Sequence, residues 1–182
     1  MRKIHLLTTG SGGFICHVIR SASLLVLTFL SLGIFWIPVS AQTLKAVLFN
    51  PPNDPNYEYI EIKHTASTAL TNVWFLYIDG DATQGGNPGE IQLALNLSAY
   101  TTGSNGLLLL NSGFSNLLPP APSETTVVNN VILELDNGSA TFLLVKNFSG
   151  SVGFDLDMNN DGIMEFTRPW SNVIDAVSTF DN

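Results

Sequence analysis

From about residue 43 onward the chain alternates short apolar runs with clusters of Gly, Pro, Asn, Ser and Asp. That rhythm predicts an all-β domain, a sandwich or barrel, because each run is too short for a helix and carries no sustained 3.6-residue period. The predicted strands are Leu44–Phe49, Tyr57–Lys63, Val73–Ile78, Glu90–Leu97, Gly106–Leu110, Val127–Leu135, Ala140–Lys146 and Val173–Thr179. In Tyr57–Lys63 the alternation puts Ile60 and Ile62 on one face and Tyr59, Glu61 and Lys63 on the other. Glu58 then shares the isoleucine face and must be either an edge residue or a buried acceptor.

Turn chemistry sharpens the pattern. Asp136-Asn137-Gly138 lies between Val131–Leu135 and Ala140–Val145, where Asn-Gly suits a two-residue hairpin turn. Asp79-Gly80-Asp81 is expected to end the Val73–Ile78 strand in the same way. Residues Asn50–Asn56 form a stiff loop whose prolines exclude ladder pairing. The Pro/Ser-rich stretch Leu117–Thr125 is expected to cross between sheets. No internal repeat and no second folded domain is legible.

The first 41 residues follow a different rule. Arg2, Lys3 and Arg20 precede a largely apolar run, Leu24–Val39, and Val39-Ser40-Ala41 places small residues before Gln42. A basic start, an apolar middle and a small-residue exit mark a secretory signal peptide, residues 1–41, cleaved before Gln42. The run is shorter than the ~20 residues that span a bilayer, so an uncleaved membrane anchor is the alternative. The expected address is secreted or cell envelope, with no stable membrane span after cleavage.

Removing that segment changes the composition. Only Lys45, Lys63, Lys146 and Arg168 remain basic against all 15 acidic residues, a net charge of −11 for residues 42–182. Such a surface disfavours a nucleic-acid backbone, which is bound by releasing counterions to Lys and Arg, and it attracts divalent cations. The single cysteine, Cys16, leaves with the signal, so residues 42–182 have neither disulfide nor thiol chemistry. The 141 residues suffice for one domain that buries roughly two-thirds of its unfolded surface.

Chemistry concentrates in one stretch, Asp155-Leu156-Asp157-Met158-Asn159-Asn160-Asp161-Gly162-Ile163-Met164-Glu165. Oxygen-bearing side chains at alternate positions, then glycine, then another carboxylate, fit a hard cation that takes six to eight oxygens. With Asp157 as position 1, Asn159 falls at 3, Asp161 at 5, Gly162 at 6, the Ile163 carbonyl at 7 and Glu165 at 9, the front half of an EF-hand loop. Position 12 is Arg168 and the flanks have no helical pattern, so this is not an EF-hand. The reading is an open calcium loop on a β scaffold, with ligands Asp155, Asp157, Asn159, Asp161, Ile163 and Glu165. It would be closed by Asp155 or by a carboxylate from another loop. The plainer alternative is a metal-free Asx-rich turn.

Several segments together resemble a known family. Phe49-Asn50-Pro51-Pro52 followed by Glu58-Tyr59-Ile60-Glu61-Ile62 is similar to the opening of bacterial lamin-tail domains. The stretch Gly103–Leu110 resembles their middle strand. Asp155–Glu165, Pro169-Trp170 and Val173-Ile174-Asp175-Ala176-Val177 resemble their acidic loop and last strand. The resemblance covers most of residues 43–180 and implies an immunoglobulin-like sandwich. Some exported members are joined to extracellular nucleases. No catalytic segment follows the last strand here, so that activity is not expected.

Other candidate sites are weaker. Glu58 and Glu61 face opposite ways and cannot share a glycosidic bond. Asp79 and Asp81 read as turn residues. His64 is the one histidine after the signal, and no Gly-x-Ser-x-Gly elbow accompanies it. A zinc site or a Cys nucleophile lacks its ligands. Trp74, Phe75, Tyr77, Phe142 and Trp170 are assigned to the core. Sequons at Asn96, Asn137 and Asn147 matter only in a eukaryotic secretory pathway. The combined expectation is an exported, non-catalytic, calcium-stabilised binding or structural module, with an unidentified protein or glycan partner. An accessory module or fragment of a secreted nuclease or hydrolase is the alternative.

Overall fold

The structure, a computed structural model, describes residues 41–49, 51, 57–81, 87–113 and 120–180. The signal-like segment before Ala41, all of the 50–56 loop except Pro51, and the start of the 117–125 stretch lie outside them. Eight strands form: β1 (Thr43–Leu48), β2 (Tyr59–Lys63), β3 (Val73–Asp79), β4 (Ile91–Asn96), β5 (Leu107–Asn111), β6 (Thr126–Val128), β7 (Ala140–Lys146) and β8 (Asn172–Thr179). No helix occurs among the described residues. The strands make two four-stranded sheets, ordered β1-β2-β5-β6 and β4-β3-β7-β8. The chain therefore lays strands down in pairs, alternating between the sheets.

Neighbouring strands pair antiparallel, except that β5 and β6 run parallel. Between the sheets lies one core. Ile60, Ile62, Leu108 and Leu110 come from the first sheet, and Phe75, Tyr77, Phe142 and Leu144 from the second. Phe142 is its aromatic hub, with ring centroids 5.6 Å from Phe49, 6.1 Å from Phe75 and 5.6 Å from Tyr77. The architecture is an all-β sandwich. The Tyr77 hydroxyl donates to Asp136 Oδ2 at 3.1 Å. Burial, then the negative charges of Asp136 and Asp79, hold that phenol well above its ordinary pKa.

A second cluster covers the outer face of the β3–β7 sheet: Leu76, Ile78, Ile91, Leu143, Val145, Phe148, Leu156 and Trp170. Phe148, Leu156 and Trp170 belong to the 25-residue excursion, 147–171, between β7 and β8. Burial on both faces explains why β3 and β7 read as nearly continuous apolar runs rather than as alternating ones.

Four expectations fail. The Val127–Leu135 strand shrinks to Thr126–Val128. Leu133 and Leu135 are buried, but positive φ at Asn130 (60°) and Glu134 (44°) breaks any extended run, and the Leu135 N–H donates to Glu58 Oε1 at 2.7 Å instead of to a ladder. Glu58 is thus the buried acceptor. Without a strand before it, Asp136-Asn137-Gly138 is no hairpin turn. The chain crosses between sheets here, over 129–139, and not over Leu117–Thr125, because β5 and β6 share one sheet. Asp79-Gly80-Asp81 does not turn tightly either. The chain returns only at Asn87–Glu90, where Gly89 N donates to Asp79 O at 2.8 Å and Asp79 N to Glu90 O at 3.0 Å.

Candidate metal centre

The acidic loop is placed by what comes just before it. Gly153 N donates to Ile91 O (2.8 Å), Ile91 N to Phe154 O (3.0 Å) and Leu156 N to Gly89 O (3.0 Å), so residues 153–156 pair along the entry to β4. Leu156 is sunk in the outer cluster with Trp170. That anchor fixes Asp157, which is 8% exposed, at the base of the loop.

From there the loop folds around its own carboxylates. Asp157 Oδ1 accepts from Asp161 N (3.1 Å) and its Oδ2 from Gly162 N (2.7 Å). Asn159 Oδ1 also accepts from Asp161 N (2.9 Å), and Asp161 Oδ1 from Ile163 N (2.8 Å). Glu165 reaches back so that Oε2 accepts from Met158 N at 2.6 Å, while its own N–H donates to Leu156 O at 3.0 Å. Gly162 sits at φ 84° with open space where a Cβ would be, so backbone conformation alone calls for glycine there.

The outcome is a convergence of three carboxylates. Oxygens of Asp157, Asp161 and Glu165 lie within 4.8 Å of one another, Asp157 at the base and the other two exposed. Of the other predicted ligands, Asp155 is the one carboxylate, and it stands outside this cluster. Asp155 is turned toward the β3–β4 loop, where Oδ2 accepts from Asn87 Nδ2 (2.9 Å) and Oδ1 caps Asp157 N (2.9 Å). Asn159 uses its oxygen on the Asp161 amide. Ile163 is exposed at the tip.

Three further residues, Asn87, Gly89 and Glu90, shape the site without having been singled out by sequence pattern. Asn87 Nδ2 bridges Asp155 and Glu90 Oε2 (3.3 Å), and Gly89 lets the loop pack against it. A Cβ on Gly89 would fall 2.8 Å from Asp157 Cβ. An Asn-Pro-Gly run favours a turn, but only the fold places it against a residue 68 positions away.

A hard cation fits this donor set in part. Each carboxylate oxygen that accepts one amide keeps a second lone pair. Three like charges this close repel unless donors or a cation compensate them. Three side chains supply fewer than the six to eight oxygens calcium takes, so water or main-chain carbonyls would complete the shell. Comparison with known protein families, characterised proteins and solved structures gives no match for this chain.

Proposed function

We propose that residues 42–182 are an exported, non-catalytic β-sandwich of the immunoglobulin-like, lamin-tail type, in which the Asp155–Glu165 loop binds calcium. The cation is structural in this reading. It neutralises the loop and holds the 147–171 excursion against the outer face of the second sheet. The observation that supports it best is the approach of Asp157, Asp161 and Glu165 to within 4.8 Å on a loop whose base is anchored by Leu156. The proposed role is to bind or scaffold an extracytoplasmic protein or glycan.

Because the cation would bind the folded loop and not the unfolded chain, it stabilises by mass action. With a Kd in the extracellular range of about 10⁻⁴–10⁻³ M, calcium at ten times Kd adds about 1.4 kcal/mol. For a chain of this size that raises the unfolding midpoint by about 3–6 °C. Thermal unfolding in calcium, in magnesium and in chelator tests it. A calcium-selective rise that Asp157→Asn abolishes is expected. A midpoint unmoved by millimolar calcium refutes the reading.

A further inference from the structure

Four times the sequence sets a glycine directly after Asn or Asp: Asp79-Gly80, Asn105-Gly106, Asn137-Gly138 and Asp161-Gly162. Such a pair can react with itself. The glycine nitrogen can close a five-membered ring onto the preceding side-chain carbonyl carbon, and no Cβ shields its approach. The step requires that nitrogen to give up its proton and swing onto the carbon. A hydrogen bond from the glycine N–H opposes the movement, so the fold decides which pairs react.

Three of the four are held. Gly80 N donates to Ser139 O (2.9 Å), Gly106 N to Gly103 O (2.9 Å) and Gly162 N to Asp157 Oδ2 (2.7 Å). Asn105 is pinned further, its Oδ1 accepting from Leu107 N (2.9 Å) and its Nδ2 donating to Thr125 Oγ1 (2.7 Å). Of the four glycines, Gly138 is the one whose N–H makes no hydrogen bond among the described residues. It follows an exposed Asn137 in the crossing segment 129–139, outside every strand.

We propose that Asn137-Gly138 is a site of spontaneous deamidation in the folded protein. Gly138 N bonds to Asn137 Cγ as the Cγ–Nδ2 bond breaks. The proton of Gly138 N passes through water to the departing nitrogen, which leaves as ammonia. A second water opens the succinimide at either ring carbonyl, leaving aspartate or isoaspartate at position 137. Both products add a negative charge where carboxylates already gather. Asp81 Oδ2 lies 2.6 Å from where a Gly138 Cβ would stand, Asp79 Oδ1 accepts from Asp81 N (2.9 Å), and Asp136 is the preceding residue. Like charges this close repel. Isoaspartate also lengthens the main chain just ahead of β7, whose Ala140 pairs with Asp79 and Thr179. The change therefore loosens that end of the second sheet, and it does not depend on calcium.

Peptide mapping by mass spectrometry tests it, on the full chain incubated at mildly alkaline pH, folded and in parallel in urea. In urea Asn105 and Asn137 are expected to lose ammonia at similar rates. In the folded chain Asn137 is expected to react at least about tenfold faster than Asn105, whose hydrogen bonds must open first. Asn137→Gln cannot close the five-membered ring, so its unfolding midpoint should hold through the incubation while that of the wild type falls. An Asn137 that reacts in urea but survives in the folded chain overturns the inference. So does equal reaction at the two asparagines in the folded chain, or an aged wild type whose midpoint matches that of the Gln variant.

Discussion

Replacing Gly89 by alanine isolates how the acidic loop is held. Gly89 has φ +93°, where an L-residue is strained by about 1–3 kcal/mol. The new Cβ would lie 2.8 Å from Asp157 Cβ and 3.0 Å from Asp157 N. Ordinary contact needs about 3.5–4.0 Å, so the loop must retreat by roughly 0.5–1 Å. That retreat strains the Leu156 N to Gly89 O bond, itself worth about 1 kcal/mol. The expected loss is about 2–4 kcal/mol. It registers globally because Leu156 is part of the packed outer cluster, not of a free tip. Urea unfolding at unchanged m-value measures the loss, and hydrogen exchange at the Leu156 amide locates it. A Gly89→Ala variant within about 0.5 kcal/mol of wild type, with Leu156 still protected, would refute the account.

The two cores yield three shorter predictions. Phe142→Ala opens the aromatic hub and is expected to cost about 3–5 kcal/mol in denaturant unfolding; a loss under about 1 kcal/mol would mean the hub collapses freely. Tyr77 holds its proton more tightly when folded than unfolded, so its contribution is fully present below the unfolded pKa of about 10 and is lost as pH rises above it. Tyr77→Phe should therefore flatten the alkaline fall in stability while costing about 1 kcal/mol near neutrality through the lost Asp136 bond; an unchanged alkaline limb counts against this. Trp170→Phe removes a buried indole N–H that has no acceptor, which offsets lost packing, so a change within about 1 kcal/mol is expected where deletion to Ala costs about 3–5; equal losses in the two variants would show that the orphan donor carries no penalty.

Short apolar runs bounded by turn residues located seven of the eight strands. They alternate where one face is exposed, as in β2, and are nearly continuous where both are buried, as in β3 and β7. The same reading misplaced 127–135. Val131, Leu133 and Leu135 alternate because they pack into the core, yet their backbone curves between sheets, with the Val131 N–H donating to Asn111 O and the Leu135 N–H to the Glu58 carboxylate. Burial and strand pairing are separate facts, and hydrophobicity reports only the first.

The sequence by itself determined that this is an all-β chain with one acidic loop, and which of its residues are apolar enough to be core. Tertiary structure decided the rest. It chose which strands share a sheet, since pairing depends on residues far apart in the chain. It brought the Asp157, Asp161 and Glu165 carboxylates to within 4.8 Å of one another and turned Asp155 toward Asn87. It also brought β1 and β8 together at one side of the sandwich, where Leu44 N donates to Asp175 Oδ2 across 131 residues of chain.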